Sequence, residues 1–118
     1  MNWRGTQAQS RNRYLAKFDA AEVERYDALV GGLDREDEDA YLSDLVRALP
    51  ISAGSVVLDA GAGTGTLTRI LARMPGLSIT ALEPAPAMLA RLLRRRELVD
   101  VATVEGFCDG IDDRRHFG

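Results

Sequence analysis

This chain has one cysteine, Cys108, so no disulfide can close within it. A reducing cytoplasm is therefore the simplest setting. Long apolar runs are missing as well. None approaches the ~20 residues of a membrane span, and the basic start MNWRGTQAQSRNR has no apolar segment behind it, so it does not read as a secretory signal. Nor is there an excess of positive charge: the formal net charge is −3, which argues against nucleic acid as a partner. Histidine occurs once, at His116, and lysine once, at Lys17. No residue stands out as a general base.

What remains is ordinary for a soluble protein: 46% hydrophobic and 28% charged residues. With 118 residues there is room for one domain, which can bury roughly two-thirds of its unfolded surface.

Residues 1–10 are polar and aperiodic and read as a flexible N-terminus. Residues 11–50 read as N-terminal helices. Tyr14, Leu15 and Phe18 have helical spacing, and Asp19 with Glu22 has the form of a capping box opening a second helix. Gly31-Gly32 would end that helix. A third should run from about Asp34 to Leu49, with Leu42, Leu45, Val46 and Leu49 as its apolar stripe and Pro50 as its stop. The acidic run Asp34 to Asp39 suits a helix N-terminus and reads as a solvated cap, not a metal site.

Residues 51–118 change rhythm. Ser55 to Asp59 is short and almost wholly apolar, as a strand covered on both faces would be. A glycine turn, a helix over Leu67 to Met74, a strand over Leu77 to Leu82, a helix from Pro86 to about Leu98 and a strand over Val101 to Val104 follow. This alternation is the βαβαβ unit of a parallel sheet.

The first turn, Asp59-Ala60-Gly61-Ala62-Gly63-Thr64-Gly65, carries the chemistry. Glycines there permit positive φ and let a ligand approach without meeting a Cβ, and the next helix offers N–H groups and a positive dipole end. Many nucleotide-binding proteins use such a loop. Here Thr66 stands where a dinucleotide fingerprint has its third glycine, and the Asp59 carboxylate would repel a pyrophosphate but suit a ligand bearing an ammonium group. The second strand ends in Glu83, 22 residues after Gly61, placed to accept hydrogen bonds from ribose hydroxyls.

Val57 to Gly65 resembles the first motif of the Rossmann-like S-adenosylmethionine-dependent methyltransferases, and Glu83-Pro84-Ala85-Pro86-Ala87-Met88-Leu89 resembles the stretch that follows it. The resemblance implies a parallel α/β sheet with S-adenosylmethionine as cofactor. Asp59, Ala60, Gly61, Gly63 and Gly65 would hold its methionine end, Glu83 its ribose, and Met88 or Pro84 its adenine. The adenine amino group would meet Asp109 or the backbone amides of Phe107 and Cys108. The family's usual glycine-aspartate pair is interrupted there by Phe107 and Cys108. Met88 fits plain core equally well, and Cys108 reads as a small buried hydrophobe.

The resemblance covers about residues 14–109 and only the front half of the seven-stranded family domain. The expectation is thus a truncated Rossmann-like half-sheet preceded by helices. Its function would be methyl transfer to an unidentified small-molecule acceptor, with the substrate half supplied from elsewhere. A non-catalytic S-adenosylmethionine-binding or fold-only partner module is the alternative, and a nicotinamide enzyme is disfavoured by Asp59 and Thr66. Arg91, Arg94, Arg95 and Arg96 read as a solvated helix face, with Met88, Leu89, Leu92 and Leu93 turned to the sheet. By resemblance the helices up to Leu49 form a lid or flank over the cofactor, an expectation supported by Tyr14, Phe18 and Tyr26, three aromatics in a stretch otherwise rich in charge. The first strand would be left as an unguarded apolar edge, which predicts a homo-oligomer or a complementary protein chain.

Overall fold

The structure, a computed structural model, describes residues 3–29 and 36–110. Helix α1 spans Trp3–Lys17, α2 Ala20–Leu29 and α3 Glu36–Arg47; β1 (Val56–Ala60), α4 (Thr66–Ala72), β2 (Ser78–Glu83), α5 (Pro86–Leu93) and β3 (Ala102–Glu105) follow. Short 3-10 turns occupy Arg96–Leu98 and Cys108–Gly110. Helix begins at Trp3, not near residue 11. The stretch lacks proline, and glutamine, alanine and arginine favour helix even without an apolar stripe. The second helix starts as its capping residues predict: the Glu22 amide donates to Asp19 Oδ1 at 2.9 Å. Gly31, Gly32 and the expected start of the third helix at Asp34 lie outside the described residues.

The three strands form a parallel sheet in the order β1-β2-β3, with Asp59 opposite Ala81 and Leu82 opposite Val104. Helices α3 and α4 bury Val46, Ile70 and Leu71 against Ile79 of β2, with Leu42, Val57 and Leu67 around them. Leu45 and Leu49 are exposed, so only the Leu42–Val46 pair of the expected stripe faces inward. Helix α5 and the following turn bury Leu92 and Leu98 against Ala62 and Ala81, which ties the glycine loop to the sheet.

Cover on both faces belongs to β2, not to β1. Ile79 through Glu83 are all buried, whereas Val56 is 64% and Leu58 40% exposed. The reason is position: β2 has a neighbour on each side, and β1 lies at the edge of the described sheet. Helix α5 also ends earlier than its sequence predicts. Leu93 is exposed, Arg94 caps the helix, and Arg95 takes an extended conformation (φ −75, ψ 117) that folds Leu98 back under the loop.

Candidate cofactor site

The site is built at the carboxyl ends of β1 and β2, where open α/β sheets bind ligands. Gly61, Gly63 and Gly65 all take positive φ (70, 60 and 91), a conformation that L side chains adopt reluctantly. Their surroundings differ. A Cβ on Gly61 or Gly63 would meet nothing within 4 Å, whereas one on Gly65 would lie 3.0 Å from Leu98 Cδ1 and 3.1 Å from Leu92 Cγ. Gly61 and Gly63 therefore leave open space beside the backbone. Gly65 instead lets α5 and its turn pack closely, a packing role beside the ligand approach expected of all three glycines.

Four of the loop amides are engaged within the chain. Those of Gly61 and Ala62 donate to the Leu82 carbonyl (2.9 and 3.0 Å), that of Gly65 to Ala62 O (3.0 Å), and that of Gly63 to Glu83 Oε1 (3.0 Å). The first two bonds tie the loop to the end of β2. What the loop offers is room and fixed shape.

Asp59 lies one residue before the end of β1 and is 7% exposed. Its Oδ2 accepts a 2.6 Å hydrogen bond from Thr68 Oγ1, one turn into α4. Burial pushes its pKa above the ordinary 3.8, and the Thr68 hydrogen bond partly opposes that shift. A buried carboxylate whose charged form is disfavoured gains from meeting a cation.

Glu83, the last residue of β2, is wholly buried. Register places it on the same sheet face as Asp59, since Ala81 is opposite Asp59 and Glu83 is two residues on. Two backbone amides fix the carboxylate, Gly63 on Oε1 (3.0 Å) and Ala85 on Oε2 (2.7 Å). The Tyr14 hydroxyl donates to it as well, 3.0 Å from Oε2 and 3.2 Å from Oε1. Burial and the Glu83 charge both push the Tyr14 pKa well up, so this hydroxyl remains a donor at neutral pH.

The other expected residues divide. Ala60 closes β1 beside the loop, and Pro84 is half-buried next to Glu83. Met88 is 3% exposed and packs with Val23 and Ala85 beneath Tyr14, Phe18 and Tyr26, as core under α1 and α2. Phe107 and Asp109 follow β3 and are both held by Arg11 of α1: the guanidinium stands 5.0 Å from the Phe107 ring centroid and pairs with Asp109. Cys108 is exposed at the start of a 3-10 turn beyond the sheet, not a buried hydrophobe. Arg95 departs from the solvated arginine face. Its Nε donates to Thr64 O at 2.7 Å, and its side chain, 16% exposed, braces the glycine loop.

Sequence reasoning missed Thr68, Arg95 and the Tyr14–Glu83 bond. A hydroxyl one turn into the helix behind an acidic strand end is a signal that could have found Thr68. The other two have no local signal, since their partners are 31 and 69 residues away.

Glu83 has four acceptor positions, two of them used by backbone amides, and so suits a vicinal diol. The open cradle at Gly61 and Gly63, with Asp59 beneath it, suits an amino-acid end. The residues present thus fit an adenosyl amino acid. The fold and these groups define a Rossmann-like α/β domain with a candidate cofactor site at its strand ends.

A family model described as a methyltransferase domain matches residues 57–116. Over 98 residues the chain is 43% identical to malonyl-[acyl-carrier protein] O-methyltransferase of Halorhodospira halophila, covering 80% of this chain and 31% of that protein. Over 96 residues it is 31% identical to trans-aconitate 2-methyltransferase of Methylobacterium nodulans, covering 76% and 34%. A crystal structure from Methanococcus maripaludis, assigned as an S-adenosyl-L-methionine-dependent methyltransferase, superposes with a TM-score of 0.67 at 25% identity, covering 80% of this chain and 45% of that one. The chain belongs to the Rossmann-like S-adenosylmethionine-dependent methyltransferase family. It spans about a third of the length of these curated relatives.

Proposed function

We propose that this chain binds S-adenosylmethionine across the ends of β1 and β2 and serves methyl transfer to a small-molecule acceptor. The observation that carries the reading is Glu83, a fully buried carboxylate fixed by the Gly63 and Ala85 amides at the rim of an open glycine turn. In this reading Glu83 accepts from the ribose hydroxyls. Asp59, oriented by Thr68, faces the ammonium group. Ala60, Gly61 and Gly63 line the methionine end, Pro84 flanks the adenine, and Phe107, Cys108 and Asp109 surround its amino group. Gly65, expected at the methionine end, shapes the loop instead. When bound, the cofactor supplies an electrophilic methyl group. The chain's share of catalysis is then placement and exclusion of water.

The acceptor-binding surface is proposed to be completed by another protein chain or a second copy. Support comes from the edge of β1, unpaired on its outer side among the described residues, with Val56 and Leu58 exposed. A cytoplasmic location is proposed on the single cysteine; no helix among the described residues is long and apolar enough to cross a membrane. Calorimetric titration with S-adenosylhomocysteine and with NAD, side by side, tests the cofactor assignment. S-adenosylhomocysteine should bind the more tightly, and tighter NAD binding would overturn the reading.

A further inference from the structure

Helix α1 grips the groups that the proposed function assigns to adenosine. Tyr14 reaches both oxygens of Glu83. Arg11, one turn earlier on the same helix face, pairs with Asp109 and covers the Phe107 ring, which Tyr14 meets edge-on at a centroid distance of 6.4 Å. Phe18 packs on Tyr14 at 4.9 Å, and Tyr26 on Phe18 at 6.0 Å, above Met88 and Val23. Apolar contact as well as polar bonds therefore holds the helix in place.

The hydrogen-bond chemistry at Glu83 makes this contact more than a covering. The Gly63 and Ala85 amides occupy two acceptor positions and are anchored by the backbone. The remaining positions are those a ribose diol would need, and the Tyr14 hydroxyl stands on them. A hydroxyl of the chain thus replaces a hydroxyl of the ligand. Arg11 does the corresponding thing at the adenine end, covering the ring and the carboxylate that would flank the base.

We infer that α1 is an internal competitor of the cofactor, with Tyr14 and Arg11 standing in for adenosine, so that the strength of this latch sets cofactor affinity. This rests on reading Glu83 as the ribose acceptor. It differs in sign from a lid: a lid residue adds to affinity once the cofactor is in place, whereas a latch residue subtracts from it. Cofactor binding must shift α1 and expose its backbone, where a lid would protect it.

Calorimetry with S-adenosylhomocysteine on the full chain and its Tyr14→Phe, Arg11→Ala and Glu83→Ala variants separates these outcomes. Tyr14→Phe keeps the ring and loses the hydrogen bond to a charged acceptor, and should bind about tenfold more tightly. Arg11→Ala should tighten binding about twofold, because its ion pair is largely solvent-exposed and weak. Amide hydrogen exchange over residues 8–17 should accelerate when S-adenosylhomocysteine is added to the parent. Binding of Tyr14→Phe equal to or weaker than the parent, or slower exchange in α1 with ligand, overturns the latch. If Glu83→Ala weakens binding in that case, the cofactor assignment stands. If Glu83→Ala binds like the parent, the assignment itself falls and the latch with it. Should Tyr14→Phe not fold by circular dichroism, Arg11→Ala and the exchange measurement decide the matter alone.

Discussion

The ends of β1 and β2 each present a buried carboxylate on the same sheet face, yet the chain supports them differently. Glu83 is held by two backbone amides, whose positions follow from the loop and the start of α5. Asp59 is oriented by a side-chain hydroxyl, and burial raises its pKa. The first arrangement is a preorganised acceptor that suits a neutral diol. The second keeps a charge under tension, which is relieved when a cation arrives. In the proposed function, one fold thus provides two kinds of acceptor for the two ends of one ligand.

The comparison breaks most sharply at the loop between them. Gly63→Val would force a β-branched residue to φ +60 and fill open space, and should weaken S-adenosylhomocysteine binding by more than about 100-fold. Gly65→Ala meets Leu98 and Leu92 instead, and should cost about 1–3 kcal/mol of stability while leaving the affinity of the folded protein nearly intact. Calorimetry paired with denaturant unfolding checks both. Equal binding losses in the two variants would erase the distinction between the glycines.

A smaller effect is expected at Glu83. Truncation to alanine strands the buried Gly63 and Ala85 amides, and should destabilise the chain by about 2 kcal/mol or more. It should also reduce adenosyl affinity about 30-fold, with adenosine alone affected as much as S-adenosylhomocysteine. An unchanged unfolding midpoint would show that the amides find other partners.

The smallest effect belongs to Asp59. Because its folded pKa lies above the unfolded value near 3.8, ionising it subtracts stability. The parent loses that stability as pH rises from about 3.8 through the folded value. Asp59→Asn keeps an acceptor for Thr68, should unfold at slightly higher temperature at pH 7, and should lack the parent's gain on acidification. It should weaken S-adenosylhomocysteine binding and leave adenosine binding unaltered. A loss for both ligands would place Asp59 away from the ammonium group.

The strands, the glycine turn and the pair Asp59 and Glu83 were legible in the sequence because each has a local signature: apolar runs, closely spaced glycines, acids at strand ends. Features that depend on distant contacts were not. Nothing in the polar start announces that Tyr14 reaches Glu83, 69 residues away. Arg95 sits in a run that looks solvated, and only the early end of α5 turns it toward Thr64. Gly65 looks like its neighbours in sequence and differs through Leu92 and Leu98. The open edge of β1 was expected, but from the number of strands and not from the strand's own residues; its apolar run suggested cover on both faces, because an apolar strand reads alike at the centre of a sheet and at its edge.

The central claim is that the ligand lies over the loop between Asp59 and Glu83. Following backbone amide resonances during titration with S-adenosylhomocysteine tests it most directly. The account predicts that the largest shifts fall on Gly61, Gly63, Ala85 and Phe107, with the amides hydrogen-bonded to Glu83 among them. Shifts centred instead on the groove between α2 and α5, around Glu24 and Arg94, with those four amides unmoved, would contradict it.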